Sequence, residues 1–586
     1  MHGHPFSGPM KLWWGHDEPQ PDQPRNLFYE QGRKPPPDDM FRAGGRITMS
    51  GEVNGDNRDR LHALMVKLDT RMRGGAGIVT NPCIPSGYTY LLQFIAHDMV
   101  DSVPSFSAQG ENISLGARNV RSTPLHLDTL YGSGPEEATY AYEFTADQRL
   151  RGLIPRTRLR AGRRAAPQSV PPEFNRYCPF RDVARNISQT VPGTLDGNRL
   201  LSEVMLADPR NDAHALISQL TILFQLLHNH VLSLVEGATK PFATSNRLPP
   251  RELAYRQFNC ARTIVTLIYH SIVEKDVLRL ILDKGVYRRY VVERRELLDR
   301  GTSIPLEFAS GAFRFGHAMV REEYSINSRF RRQRTTGALE RSAMVPDPTL
   351  LPIKENWFVD WAHFFEVDAD ITPNLSSLIR PRYPAVFSDE SFLWPPKTDG
   401  DVTGLLYRDL LSSAFGGLLS VPALIRTARE RGFDGIEDFE NDLKPRLRAW
   451  LSADPDPDMD DLANDPPLPF FVLFEAARIG RDDANGGRDE ANGRCDDANG
   501  GQRLGPLGSV IVAEAICGAL RNCPLHFAGA SLKERIDNCG RSLFVIQGPD
   551  QAPVLTALSA ALSEIDEITS MPELIRYMAR AGLFEA

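Results

Sequence analysis

A chain of 586 residues that is 41% hydrophobic is long enough for several domains, yet its apolar residues run almost throughout, so one large helical domain is equally admissible. The formal net charge is -8, and Lys and Arg lie scattered among acids, which argues against a nucleic-acid partner. Seven cysteines without CxxC spacing exclude a disulfide scaffold or thiolate zinc site and leave reduced, buried thiols as the expectation.

Residues 1–60 are rich in Pro, Gly, Asp and Arg, with KPPPDD as a breaker, and read as an extended arm wrapped over a core. The N-terminal stretch has no apolar core after a basic start, and no run of about 18 apolar residues occurs. No membrane span is therefore expected, and the chain reads as cytoplasmic, with non-classical export left open. The packed domain is expected over 61–586. Apolar helical patterns cover 88–100, 213–235, 252–282, 310–320, 405–413 and 509–520. Within the second of these, Leu216, Leu220, Leu223, Leu227 and Val231 recur every three or four residues and form one continuous face.

Two stretches stand apart. RGLIPRTRLRAGRR, residues 151–164, is the one strongly basic run, and its Pro155 and Gly162 suit a solvated loop better than a phosphate site. Residues 481–501 repeat an Asp-Asp/Glu-Ala-Asn-Gly unit three times. They lack the spacing and terminal Glu of an EF-hand and read as a low-complexity loop. Alternating strand patterns are scarce, so the fold class is mainly α: a single large helical domain with little β structure.

Four segments carry chemistry. In GYTYLLQFIAHDMVDS (87–102), Gln93 and His97 are four apart and share a helix face, while Asp98 points elsewhere. In ADPRNDAHALISQLTILFQLLHNHV (207–231), Arg210 stands at a helix entrance, where the positive end of the helix dipole makes an anionic partner desirable. FASGAFRFGHAMVREEYSIN (308–327) sets His317 among Gly311, Ala312, Gly316 and Ala318, which leave room for a large flat group. LLYRDLLSSAFGG (405–417) is an apolar helix carrying Arg408 and Asp409.

In this order these segments resemble the signature of the animal-type haem peroxidase (peroxidase and cyclooxygenase) superfamily, with its bacterial branch most similar. GYTYLLQFIAHD looks like the distal-histidine helix, DPRND followed by HN like the distal-arginine helix, AFRFGHAMV like the proximal-histidine helix, and LGPLGSVIVAEAICGAL like the closing helix. Arg210 and His228 are 18 positions apart, as the family's register requires. The resemblance covers residues 60 to 530.

It implies a helical haem-peroxidase domain that reduces hydrogen peroxide and oxidises a small donor, such as a halide or phenol, by one-electron steps. His97 would be the acid-base group, Arg210 the cation for the departing oxygen, and Gln93 the holder of distal water or halide. His317 would ligate the haem iron, with Asp409 in place of the usual Asn and Arg314 beside it. Ala96 and Ala213 replace the two carboxylates that esterify haem in mammalian members, so haem b would be held non-covalently. A calcium site would draw on Asp98, Ser122, the Pro124 carbonyl and Asp128, but His126 stands where Asp is usual, so calcium would bind weakly or not at all. Arg314 also replaces the Tyr that starts radical chemistry in cyclooxygenases and fatty-acid dioxygenases, which favours peroxidase chemistry. A dioxygenase acting on a fatty acid or secondary metabolite through another radical residue such as Tyr324 is the alternative, and a non-catalytic haem-binding or adhesion module is a third. The reducing substrate and oligomeric state are not encoded in these motifs.

Overall fold

The computed structural model describes residues 25–30, 32–42, 55–73, 79–101, 119, 121, 123–144, 156–165, 175–191, 199–244, 248–299, 301–343, 349–387, 404–451, 457–478, 500–525, 530–544 and 551–584. Residues 1–24, Ser122 and 481–499, and so most of the arm and of the repeat loop, lie outside them.

The described chain is helical, with small two-stranded sheets at its margins. The helices that matter for the site are α1 (Gly55–Arg73), α2 (Gly87–Met99), α3 (Ala215–Ala238), α4 (Pro250–Ile272), α5 (Leu405–Phe415) and α6 (Pro506–Asn522). Helix α1 thus begins upstream of Leu61. Part of the N-terminal stretch is also anchored: Leu27 is fully buried, and Arg25 forms a buried ion pair with Asp299 at 2.7 Å.

Helix α3 forms the centre. Its apolar residues run on every side, and Leu220, Leu223, Leu227 and Val231 have no exposed surface. By length and composition it could cross a bilayer, but its most apolar stretch is 89% buried within the fold, as befits a core helix. Phe94 on α2 stacks on Phe224 of α3 with centroids 4.9 Å apart, and Tyr269 of α4 meets both rings edge-on. Such ring pairs add about 1 kcal/mol each beyond the area they bury. The trio therefore fixes α2 against the α3–α4 pair.

Helix α2 is held at its start as well. Ser86 N donates to Asn374 O at 2.7 Å, and Gly87 N to Phe364 O at 2.9 Å. A side chain at Gly87 would run into the Phe365 ring and the Phe364 carbonyl, so the close approach requires glycine.

Two strand pairs connect to the site elements, one by contact and one through an ion pair. β1 (Thr80–Pro85) pairs antiparallel with β4 (Leu375–Ser377), and β2 (Arg185–Val191) with β3 (Arg199–Val204), from Arg185 opposite Val204 to Val191 opposite Arg199. Arg185 does the positioning: its two terminal nitrogens each reach a carboxylate oxygen of Asp212 at 2.7 Å, in a pair with almost no exposure. That ties the turn before α3 to the β2–β3 hairpin.

Two expectations need correcting. The segment Ala312–Met319 is a 3-10 helix rather than an α-helix, preceded by Gly311 at φ -125, ψ -94. A 3-10 run of this length is uncommon and often marks a functional or strained stretch. Among the cysteines, Cys178, Cys260, Cys517, Cys523 and Cys539 are buried thiols, but Cys83 is disulfide-bonded to a partner outside the described residues. The basic run, where described, is occupied by protein acceptors: Arg158 contacts Glu236 and the Asn229 carbonyl, Arg160 the Tyr142 carbonyl and Arg164 the Phe584 carbonyl.

Candidate active site

Helix α2 packs against the 312–319 segment. Both elements are largely buried, but Gln93, Ala96 and His97 on one and Arg314, Gly316 and His317 on the other are only half-buried, which marks where the interior opens. A side chain added at Gly316 would meet nothing within 4 Å. The two histidines expected to flank a flat group thus stand on adjoining elements.

On the α2 side, His97 Nδ1–H donates to Asn211 Oδ1 at 2.9 Å. This arrangement puts the imidazole lone pair on Nε2, which makes no hydrogen bond among the described residues. Burial, reinforced by the charge of Arg210 and opposed by the Asn211 bond, lowers the His97 pKa to about 4. The ring is therefore neutral near pH 7 and can accept a proton. Gln93, one turn earlier, accepts a hydrogen bond at Oε1 from His214 Nε2 at 2.7 Å. Both orienting residues come from the short stretch 211–214 ahead of α3.

Arg210 takes a different place from the one expected. Its Nε lies 3.0 Å from Asp208 Oδ1 and its Nη2 2.6 Å from Asp208 Oδ2, while Nη1 and Nη2 donate to the carbonyls of Val100 and His97 at 2.7 and 2.9 Å. The guanidinium braces the C-terminal end of α2, where carbonyls without helical partners attract cations. The anionic partner that its position called for is Asp208. Burial works to raise the Asp208 carboxyl, but hydrogen bonds and charge from Arg210, with further charge from Arg121, hold it below the usual range.

On the facing side, His317 Nδ1 donates to Asp409 Oδ2 at 2.6 Å, leaving Nε2 without a hydrogen bond among the described residues. The same carboxylate oxygen accepts from the Tyr383 hydroxyl at 2.7 Å, and Arg314 Nη1 lies 3.6 Å from Asp409 Oδ1. Burial pushes the Asp409 carboxyl up, yet His317, Arg314 and Tyr383 outweigh it and keep the group ionised. Tyr383 and Phe387 meet the His317 ring edge-on at 5.8 and 6.0 Å and hold its plane. Sequence reasoning identified His317 and Asp409 but missed Tyr383, Asn211 and His214. The last two sit inside the quoted DPRNDAH segment.

These residues suit haem. His317 offers one imidazole nitrogen fixed in direction by a carboxylate, as iron ligation requires. Gly316 leaves open space beside it, and Ala96 and Ala213 carry no carboxylate for an ester link.

Of the residues expected to hold calcium, Ser122 lies outside the described residues. Asp98 is fully buried and accepts from Leu127 N at 2.9 Å and Thr129 N at 3.5 Å. Asp128 pairs with Arg262 at 2.9 Å and accepts from the Thr123 hydroxyl. The partners of these two carboxylates are a guanidinium, a hydroxyl and backbone amides. No cluster of three or more metal-ligating side chains occurs among the described residues. The His126 and His270 rings lie nearby, tilted to each other with centroids 6.5 Å apart.

No protein-family model matches the sequence, and no curated protein does. Among solved structures, a fatty acid alpha-dioxygenase of Oryza sativa superposes with a TM-score of 0.50 at 11% identity, covering 95% of this chain and 87% of that one. The chain shares the overall fold of that enzyme. Peroxidase A of Dictyostelium discoideum matches with a TM-score of 0.47 at 12% identity, over 82% of this chain and 86% of that one. The Arabidopsis thaliana fatty acid alpha-dioxygenase gives 0.46 at 11%, over 89% and 75%. At these identities the likeness concerns the fold alone.

Proposed function

We propose that this protein is a haem peroxidase that reduces hydrogen peroxide and oxidises a small organic or halide donor by one-electron steps. The observation that carries the reading is the pairing of two differently tuned histidines on adjoining elements: His97, a neutral base held by an amide, and His317, held by a carboxylate. Haem, when bound, would supply the iron centre and the one-electron oxidising power.

His317 would hold it through Nε2, with Asp409 keeping the proton on Nδ1. Arg314 neutralises part of the Asp409 charge from the same side. On the other side His97 Nε2 would take a proton from one peroxide oxygen and return it to the departing one, so that water leaves with no net proton change. Asn211 keeps the receiving nitrogen on the correct side throughout. Gln93 presents an amide to the same space. Arg210, anchored at the end of α2, acts on this step through its field: its charge helps to keep His97 unprotonated.

The test is stopped-flow absorbance of the haem-loaded protein mixed with hydrogen peroxide. Wild type is expected to react rapidly and His97→Ala about 10²- to 10⁴-fold more slowly, the usual worth of a positioned acid-base group. An unchanged rate in the variant would overturn the assignment of His97.

The second reading, a fatty-acid dioxygenase, is favoured by the fold shared with the Oryza sativa enzyme. Oxygen consumption with a fatty acid that persists after peroxide is removed would decide for it. Against it stands Arg314, three positions before His317 and paired to Asp409.

A further inference from the structure

His214 closes the turn before α3 and does two things at once. Its Nδ1 caps the helix by accepting from Ile217 N–H at 3.2 Å, and its Nε2 lies 2.7 Å from Gln93 Oε1. The cap settles the tautomer. A nitrogen that accepts from a backbone amide carries no proton, so in a neutral ring the proton is on Nε2. The ring is neutral: burial, with some help from His97, lowers its pKa to about 3. Its Nε2–H must then find an acceptor, and only the carbonyl end of the Gln93 amide satisfies it. Tyr90, edge-on at 5.3 Å, keeps the ring in plane.

The orientation of the Gln93 amide follows. With Oε1 taken by His214, the NH2 group is the end left for the opening, and it makes no hydrogen bond among the described residues. Gln93 and His97 share one face of α2, so this donor stands one helical turn from the His97 lone pair. We propose that His214 is a positioning residue that locks the Gln93 amide with its NH2 group towards the site, making it a fixed donor to a small anion or peroxide oxygen bound beside His97.

The inference rests on the haem reading above. His214 touches no ligand itself and acts through Gln93. Without it the amide is free to rotate, and a bound anion meets its carbonyl as often as its NH2.

Fluoride, which binds ferric haem iron and is stabilised by distal donors, is the probe. The experiment titrates fluoride into the haem-loaded protein by visible absorbance, for wild type, His214→Asn, Gln93→Leu and the double variant. Asn keeps a helix-capping acceptor, so the fold is preserved, but it is too short to reach Gln93. Fluoride affinity is expected to fall about tenfold in Gln93→Leu, the worth of one well-placed donor, and about twofold in His214→Asn, where the amide presents its NH2 about half of the time. The double variant is expected to be no weaker than Gln93→Leu, because the two residues act as one unit.

An unchanged affinity in His214→Asn overturns the proposal, as does a further loss when His214→Asn is added to Gln93→Leu. Failure of the wild-type protein to take up haem would instead overturn the peroxidase reading and this inference with it.

Discussion

The two sides of the site use the same side chain in opposite settings. His97 is held by a neutral amide, beside a guanidinium, and burial lowers its pKa to about 4. His317 is held by Asp409, a carboxylate kept ionised by three neighbours. A neutral partner and a nearby cation make an imidazole that picks up and releases protons; an anionic partner makes one that donates electron density. Role is assigned by the residue on Nδ1, not by the histidine.

Replacing His317 with Ala breaks the comparison most severely. It is expected to abolish haem uptake, read as loss of the haem absorbance band after reconstitution, whereas His97→Ala is expected to load normally. Equal loading of both would show that the sides had been assigned wrongly.

Giving His97 the kind of partner that His317 has sharpens the contrast. In Asn211→Asp the new carboxylate favours the charged ring and raises its pKa from about 4 by about one to two units. Since only the neutral ring accepts a proton, the rate of reaction with peroxide falls as pH drops through that value. The acid limb of the profile should therefore move to higher pH in the variant; a limb that stays put or moves down would refute the role of Asn211.

The reverse exchange, Asp409→Asn, weakens the donation to the axial ring. An Fe(III)/Fe(II) potential higher by about 60 mV, or tenfold in the one-electron equilibrium, is expected. The change is modest because Tyr383 and Arg314 already draw on the same carboxylate. Spectroelectrochemical titration of wild type and variant measures it, and an equal or lower potential in Asp409→Asn would count against the idea.

How much of this was legible beforehand follows from what local pattern encodes. The periodicity of Leu216 through Val231 marked the core helix, and the motifs around His97, His317 and Asp409 marked the chemistry, because each is a statement about neighbours in sequence. The partners that tune those residues are not neighbours. Asn211 reaches His97 across 114 positions, His214 reaches Gln93 across 121, and Tyr383 reaches Asp409 from a separate loop. Arg210 misled for the same reason. Its place at a helix entrance showed the need for an anion, but only the folded chain shows that Asp208 meets it and that the end of α2 takes the remaining donors.

The turn that carries both Asn211 and His214 has one more consequence. Because four consecutive residues set the proton-accepting nitrogen of His97 and the amide direction of Gln93, these two properties are inherited together. A single residue inserted or lost between Asp208 and Ala215 would shift both partners out of register at once, though neither His97 nor Gln93 had changed. Libraries that aim to alter the preferred donor would do better to leave this turn intact and vary the half-buried rim around Ala96 and Gly316, where a side chain changes the space without disturbing the settings.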